Sequence, residues 1–263
     1  MIQHTVTGTG QPPIVFVHGF ACARSDWDAQ VAHLSARHQT IAVDLRGHGA
    51  SPGHAAECSV ERNGADVAAL LRALALPPSV LVGHSMGCRV VIEAALQAPA
   101  HTAGVVLVDG SQFAPAMAET LRALFASPDG FAKVTGNWFP DMFTAKSDPA
   151  RVAAVAARAA TMPRATGEQL LTDLQRYDAT RLAASLTALH VPVLAIQTTF
   201  SNERRERSTM QKGQTTPYLD MLRAHIPGIR IDIIADTGHF PQIDEPAQTN
   251  AILDLFLAGL PTD

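Results

Sequence analysis

Six short apolar runs, at 14–17, 40–43, 79–82, 104–108, 191–196 and 229–234, constrain this chain more than any other feature. They are rich in Val and Ile and, apart from the last, where Arg230 and Asp232 interrupt the isoleucines, show no alternation of polar with apolar residues. A strand with one wet face alternates, whereas a strand covered on both faces does not, so the runs point to a parallel sheet between two helical layers. Helical stripes lie between them. Val67, Leu70, Leu71 and Leu74 form one, and Ile252, Leu255 and Phe256 form another. His4–Thr7 reads as an antiparallel edge strand. The fold class is α/β, a doubly wound sheet flanked by helices.

The rhythm breaks between residues 112 and 189. No strand pattern occurs there, and alanine-rich helical stretches follow one another at 116–126, 149–160, 167–177 and 179–189, with Pro128, Pro140, Pro149 and Pro163 between or at the start of them. The expected organisation is a core of 1–111 with 190–263, and an inserted helical lid of 112–189 over the C-terminal edge of the sheet. The insertion carries Phe113, Phe125, Phe131, Trp138, Phe139, Phe143 and Tyr177. Most of these rings serve to hold the lid on the body, and the remainder would line an apolar pocket beneath it.

Gly83-His84-Ser85-Met86-Gly87 sits where the third run passes into a helical pattern. A serine on a sharp strand-to-helix turn needs small residues on both sides, because the backbone passes close to itself. Ser85 is the candidate nucleophile. A serine hydroxyl needs a base to take its proton, and the base needs an acid to hold its tautomer. Of eleven histidines, His239 has the best context: Asp236-Thr-Gly-His239-Phe-Pro follows the last apolar run. His84 is expected to pack or hydrogen-bond, and His225 to end a helix. The first run ends in His18-Gly19-Phe20, where a tight turn would offer the N–H of Phe20. With the N–H of Met86 it makes an oxyanion hole, each donor worth about 3 kcal/mol. His18 and the loop from Asp44 to Ser51 are assigned structural roles.

His18-Gly19, the 44–51 loop, Gly83 to Gly87 and Gly238-His239-Phe240 resemble, in order and spacing, the motifs of the α/β-hydrolase superfamily over essentially the whole chain. That resemblance implies a mostly parallel eight-stranded sheet, a helical cap and a Ser-His-acid triad. One departure concerns the acid. The family's usual aspartate position, after the run at 191–196, holds Ser201, with Glu203 two residues on. Some relatives, haloalkane dehalogenases and cofactor-free quinoline-type dioxygenases among them, carry the acid one strand earlier, where this chain has Asp109. Asp109 is preferred to Glu203 because a short carboxylate anchored on a strand orients an imidazole better than a flexible loop residue. The run Glu203-Arg-Arg-Glu-Arg207 otherwise reads as a solvated charge cluster.

These residues lead to an expected serine hydrolase acting on a small carboxylic ester or lactone through an acyl-enzyme. The alternative is a cofactor-independent dioxygenase of the quinoline-cleaving type, supported by the Asp109 position and the 238–246 segment and opposed by Met86, where that family tends to have histidine. A serine at position 85 disfavours dehalogenation, which needs a carboxylate nucleophile, and an intact triad disfavours a non-catalytic receptor. A net charge of −4 gives no electrostatic case for nucleic acid or an anionic membrane as partner, and the aromatic-rich lid points to a small apolar or aromatic substrate. No metal cluster or phosphate-cradling loop is visible, and no cofactor is expected. Three cysteines without C-x-x-C spacing, a polar N-terminal segment and no apolar run near about 20 residues fit a reducing cytoplasm.

Overall fold

The computed structural model describes residues 1–201 and 206–261. Its main sheet has seven strands: β1 (His4–Thr7), β2 (Ile14–Val17), β3 (Thr40–Val43), β4 (Ser79–His84), β5 (Thr102–Val108), β6 (Val193–Gln197) and, late in the chain, β9 (Arg230–Ile233). Their order is β1-β3-β2-β4-β5-β6-β9, with β1 antiparallel to β3 and every other pair parallel. The remaining two, β7 (Thr199–Ser201) and β8 (Arg207–Thr209), pair only with each other. The implied count of eight is therefore corrected to seven among the described residues. The largely exposed β1 closes the sheet on the β3 side, while β7 and β8 form a separate antiparallel pair.

The unalternated runs have the expected cause. On one sheet face Val15, Val17, Leu81, Val105 and Leu107 join a core with helices α2 (Val60–Ala73) and α3 (Met86–Gln97). On the other, Phe16, Val80, Val82, Val106, Val108 and Ile196 pack with Trp27, with Leu34 of α1 (Asp28–Leu34) and with Leu253 and Phe256 near the C-terminus. Burial on both sides removes apolar area from water at about 25 cal/mol per Å², so the middle positions of the central strands are apolar on both faces.

Between β5 and β6 the regular structure is wholly helical: α4 (Met117–Phe125), α5 (Gly130–Trp138), α6 (Pro149–Ala160), α7 (Arg164–Thr180) and α8 (Leu182–Thr187), with short 3₁₀ turns. The sequence pattern misses α5, whose glycines and threonine weaken its helical signal. It also splits differently at α7, which starts three residues before the expected 167. After the hairpin come α9 (Pro217–His225), α10 (Pro241–Asp244) and α11 (Pro246–Ala258), the last packing beside α1. Among the described residues no helix is long and apolar enough to cross a membrane.

Candidate active site

Ser85 occupies the joint between β4 and α3 at φ +53° and ψ −114°, a backbone state that L-residues seldom adopt. The bend requires glycine on either side. A Cβ on Gly83 would strike the carbonyl of Gly87, and one on Gly87 would come within 2.5 Å of the Val17 carbonyl oxygen. Ser85 is also the N-cap of α3. A serine there ordinarily accepts an N–H from the first helical turn, yet this one makes no capping bond, so its hydroxyl is not consumed in holding the helix. Its side chain stays half-buried.

The two expected oxyanion donors flank it. Met86 is the first residue of α3, and a first-turn N–H has no intrahelical acceptor. A Cβ on Gly19 would lie 3.1 Å from that of Ser85, so the turn carrying Phe20 rests against the serine. His18 holds that turn, as expected: its Nδ1–H donates to the Gly19 carbonyl at 2.7 Å, and its Nε2 accepts the Leu45 N–H at 3.0 Å. Within the 44–51 loop, Asp44 accepts from Arg24 and from the Ala50 N–H, and His48 accepts the Ala21 N–H. These are structural contacts.

His239 and Asp109 come together from residues 130 apart in the chain. Asp109 follows β5 at φ +42° and is wholly buried. Its Oδ2 accepts the Nδ1–H of His239 at 2.6 Å and the hydroxyl of Thr199 at 2.5 Å. Its Oδ1 accepts the N–H groups of Thr198 and Thr199 at 2.7 and 2.8 Å. Four donors thus converge on one carboxylate. Burial alone would raise the pKa of Asp109, but the hydrogen bond and charge of His239, with the charge of Arg207, hold it below the usual carboxylate value. For His239, burial first and the charge of Arg207 second push the pKa down to about 4, against the pull of Asp109. The imidazole is neutral at pH 7, with Nδ1 occupied and Nε2 the ring atom able to take a proton.

His84, next to the serine, donates from Nε2 to the His239 carbonyl at 2.7 Å, the rings lying 4.7 Å apart. The inserted segment touches the histidine loop: the His239 N–H donates to the Met142 carbonyl at 2.7 Å, and Phe143 stacks on Phe240 at 4.7 Å. On the serine side, Phe20 meets Phe131 of α5 edge-on.

Glu203, the other acid considered, lies outside the described residues. Of the described residues after β6, Thr198 and Thr199 supply donors to Asp109. Sequence reasoning missed Thr198 and Thr199 in this role, since their part is played largely by backbone N–H groups, which any residue but proline has. Arg207 corrects the reading of a solvated charge cluster. Its Nη1 lies 2.6 Å from Thr199 Oγ1, 3.1 Å from His239 Nδ1 and 3.7 Å from Asp109 Oδ2. No signal in a polar stretch of five residues singles it out. No group of three or more His, Cys, Asp or Glu able to hold a metal ion occurs among the described residues.

A mostly parallel sheet, a serine on a glycine-flanked bend and a late-chain histidine whose ring lies 4.7 Å from that of His84, the residue before the serine, are features of the α/β-hydrolase class. The model of the alpha/beta hydrolase family matches residues 14–252, and the chain belongs to that family. It is 27% identical to a pimeloyl-[acyl-carrier protein] methyl ester esterase of Nitrosomonas europaea, over 96% of this chain and 98% of that protein. It is 38% identical to an sn-1-specific diacylglycerol lipase of Mus musculus over 100 residues, 37% of this chain, and that match takes in only 32% of the lipase. Among solved structures, a thermophilic esterase from Thermogutta terrifontis superposes with a TM-score of 0.82 at 24% identity, covering 99% of this chain and 94% of that one.

Proposed function

We propose that the protein is a serine hydrolase of small carboxylic esters or lactones, working through an acyl-enzyme on Ser85. His239 Nε2 takes the hydroxyl proton as Ser85 attacks the carbonyl carbon. Asp109 keeps Nδ1 protonated and stabilises the imidazolium that forms. The N–H groups of Phe20 and Met86 take the charge on the tetrahedral oxyanion. The imidazolium then gives its proton to the leaving alkoxide, and His239 activates water to release the acid. Residues 112–189 act as a lid over a core of 1–111 and 190–263, and its aromatic rings favour an apolar or aromatic acyl group.

The observation that carries this reading is the buried bond of 2.6 Å from His239 to Asp109, which follows β5, the strand paired with the β4 that leads into Ser85. Similarity to a methyl ester esterase over nearly the full length of both chains supports the ester class. The test is a panel of p-nitrophenyl esters and lactones with wild type and Ser85→Ala, together with fluorophosphonate labelling. Ser85→Ala is expected to lose hydrolysis and labelling while keeping its circular dichroism spectrum. Retention of most activity would overturn the mechanism.

The position of Asp109 after β5 also supports the second reading, a cofactor-independent dioxygenase. The two readings part on oxygen: ester cleavage proceeds at the same rate under argon, whereas oxygenolytic ring cleavage stops.

A further inference from the structure

The β7–β8 hairpin stands apart from the main sheet, yet it brings a full positive charge to the buried acid–base pair. Arg207 opens β8, and its Nη1 is within 2.6 Å of Thr199 Oγ1, 3.1 Å of His239 Nδ1 and 3.7 Å of Asp109 Oδ2. A guanidinium only donates. His239 Nδ1 already carries the proton it gives to Asp109, so the acceptor for Arg207 is Thr199. The Thr199 hydroxyl in turn donates to Asp109 Oδ2. The result is a chain from Arg207 through Thr199 and Asp109 to the Nδ1 edge of His239, opposite the nitrogen that would serve Ser85.

Charge arithmetic decides what such a chain does. Asp109 would by itself favour the imidazolium and raise the basicity of His239. A cation against the same carboxylate offsets that attraction, and its own field opposes a second positive charge about 3 Å away. The other groups facing the ring act in the same direction or weakly: His84 from the end of β4 is buried and hydrogen-bonded through Nε2, and Arg89 from α3 adds a more distant positive field. The inserted helices reach His239 through the uncharged Met142 carbonyl.

We propose that Arg207 is a positioning residue that, through Thr199 and Asp109, keeps His239 unprotonated in acidic solution and so extends ester cleavage to lower pH. This inference rests on the Ser85–His239–Asp109 reading given above. The direction agrees with the depressed pKa of His239, to which the charge of Arg207 is the second contributor after burial.

The experiment is the pH profile of kcat/KM on a short p-nitrophenyl ester, for wild type, Arg207→Gln and Arg207→Lys, over the range in which circular dichroism stays native. Gln keeps a donor for Thr199 without the charge, and Lys keeps the charge. Arg207→Gln is expected to move the acidic limb up by about one pH unit, a further loss of about tenfold one unit below the wild-type inflection. Arg207→Lys is expected to follow wild type. Coincident wild-type and Gln profiles, a uniform loss at all pH, or a Lys variant that moves with Gln would each overturn the inference. Arg207→Met is the second uncharged variant and should move with Gln. If the uncharged variants turn over too slowly, ¹⁵N NMR titration of His239 reads the same shift without substrate, and an unchanged titration overturns it. Ser85→Ala separates the two levels. Activity surviving in Ser85→Ala removes the hydrolase reading itself, whereas a dead Ser85→Ala with coincident Arg207 profiles removes only the role of Arg207.

Discussion

At the scale of single residues, the site places two uncommon backbone states where chemistry is expected, Ser85 at φ +53° and Asp109 at φ +42°. Such states cost of order 1–3 kcal/mol each and persist only when the surroundings hold them. For Asp109 the holding is visible as two backbone donors, a hydroxyl and an imidazole. Asp109→Asn should keep the fold and lower kcat by about 10³–10⁴-fold, because an amide can donate to Nδ1 and stabilise the wrong tautomer. Glu203→Gln should have little effect. Steady-state kinetics on one ester decides between them, and the reverse ranking would refute the assignment of the acid. Gly238 tests the close approach of the histidine loop to the inserted segment: its Cβ would lie 2.6 Å from the Met142 carbonyl oxygen. Gly238→Ala should therefore reduce activity more than stability, since it displaces His239, one residue on. Equal turnover in the variant would show that the loop has slack.

At the scale of elements, the inserted helices are tied to α3, the helix that follows Ser85, by a buried ion pair. Arg89 of α3 meets Asp178 of α7 in a two-pronged contact, 2.9 Å from Nε and 2.6 Å from Nη2. Both side chains are almost completely buried. Asp178 also accepts the Phe113 N–H, and Arg89 donates to the carbonyls of Ser85 and Ser111. Removing one partner leaves a buried charge without its counterion, which costs about 3–5 kcal/mol. Asp178→Ala should accordingly lower the unfolding free energy by that amount in urea titration. A loss below 1 kcal/mol would mean that water reaches the orphaned guanidinium. The half-exposed ion pair between Arg158 of α6 and Asp26 offers a contrast, because solvent screens Arg158 and reduces what the pair contributes.

At the scale of the whole molecule, four buried histidines are held neutral: His48 and His239 down to about 4, His84 to about 3, and His18 well below its ordinary value, in each case chiefly by burial. In the unfolded chain each would protonate near pH 6.5. Below that pH the unfolded state binds more protons than the native one, so stability falls as pH falls from about 6.5 toward 4, by up to about 1.4 kcal/mol per pH unit for each histidine. Asp26 and Asp244, whose pKa values burial raises, work in the opposite direction over a lower range. Urea unfolding at pH 7 and pH 5 should therefore show a markedly lower midpoint at pH 5. A flat dependence would show that the histidines exchange protons in the folded state without cost.

The sheet was legible in the chain because burial on both faces confines polar residues to the ends of the central strands, and Phe16 and Val82 pack in the apolar core. The bend at Ser85 was legible too, since only glycine fits at Gly83 and Gly87. What escaped was whatever depends on side chains meeting across the fold. The β7–β8 hairpin is short and polar and carries no burial signal of its own. The approach of Arg207 to His239, and the cradle of Thr198 and Thr199 around Asp109, arise from the path of the chain after β6. Residue identities alone determined the layered fold and the bend that carries Ser85, because backbone sterics and apolar burial act locally and along periodic patterns. Which carboxylate reaches the imidazole, and which cation tempers it, was decided by tertiary structure, because electrostatics acts through distance in space rather than separation along the chain.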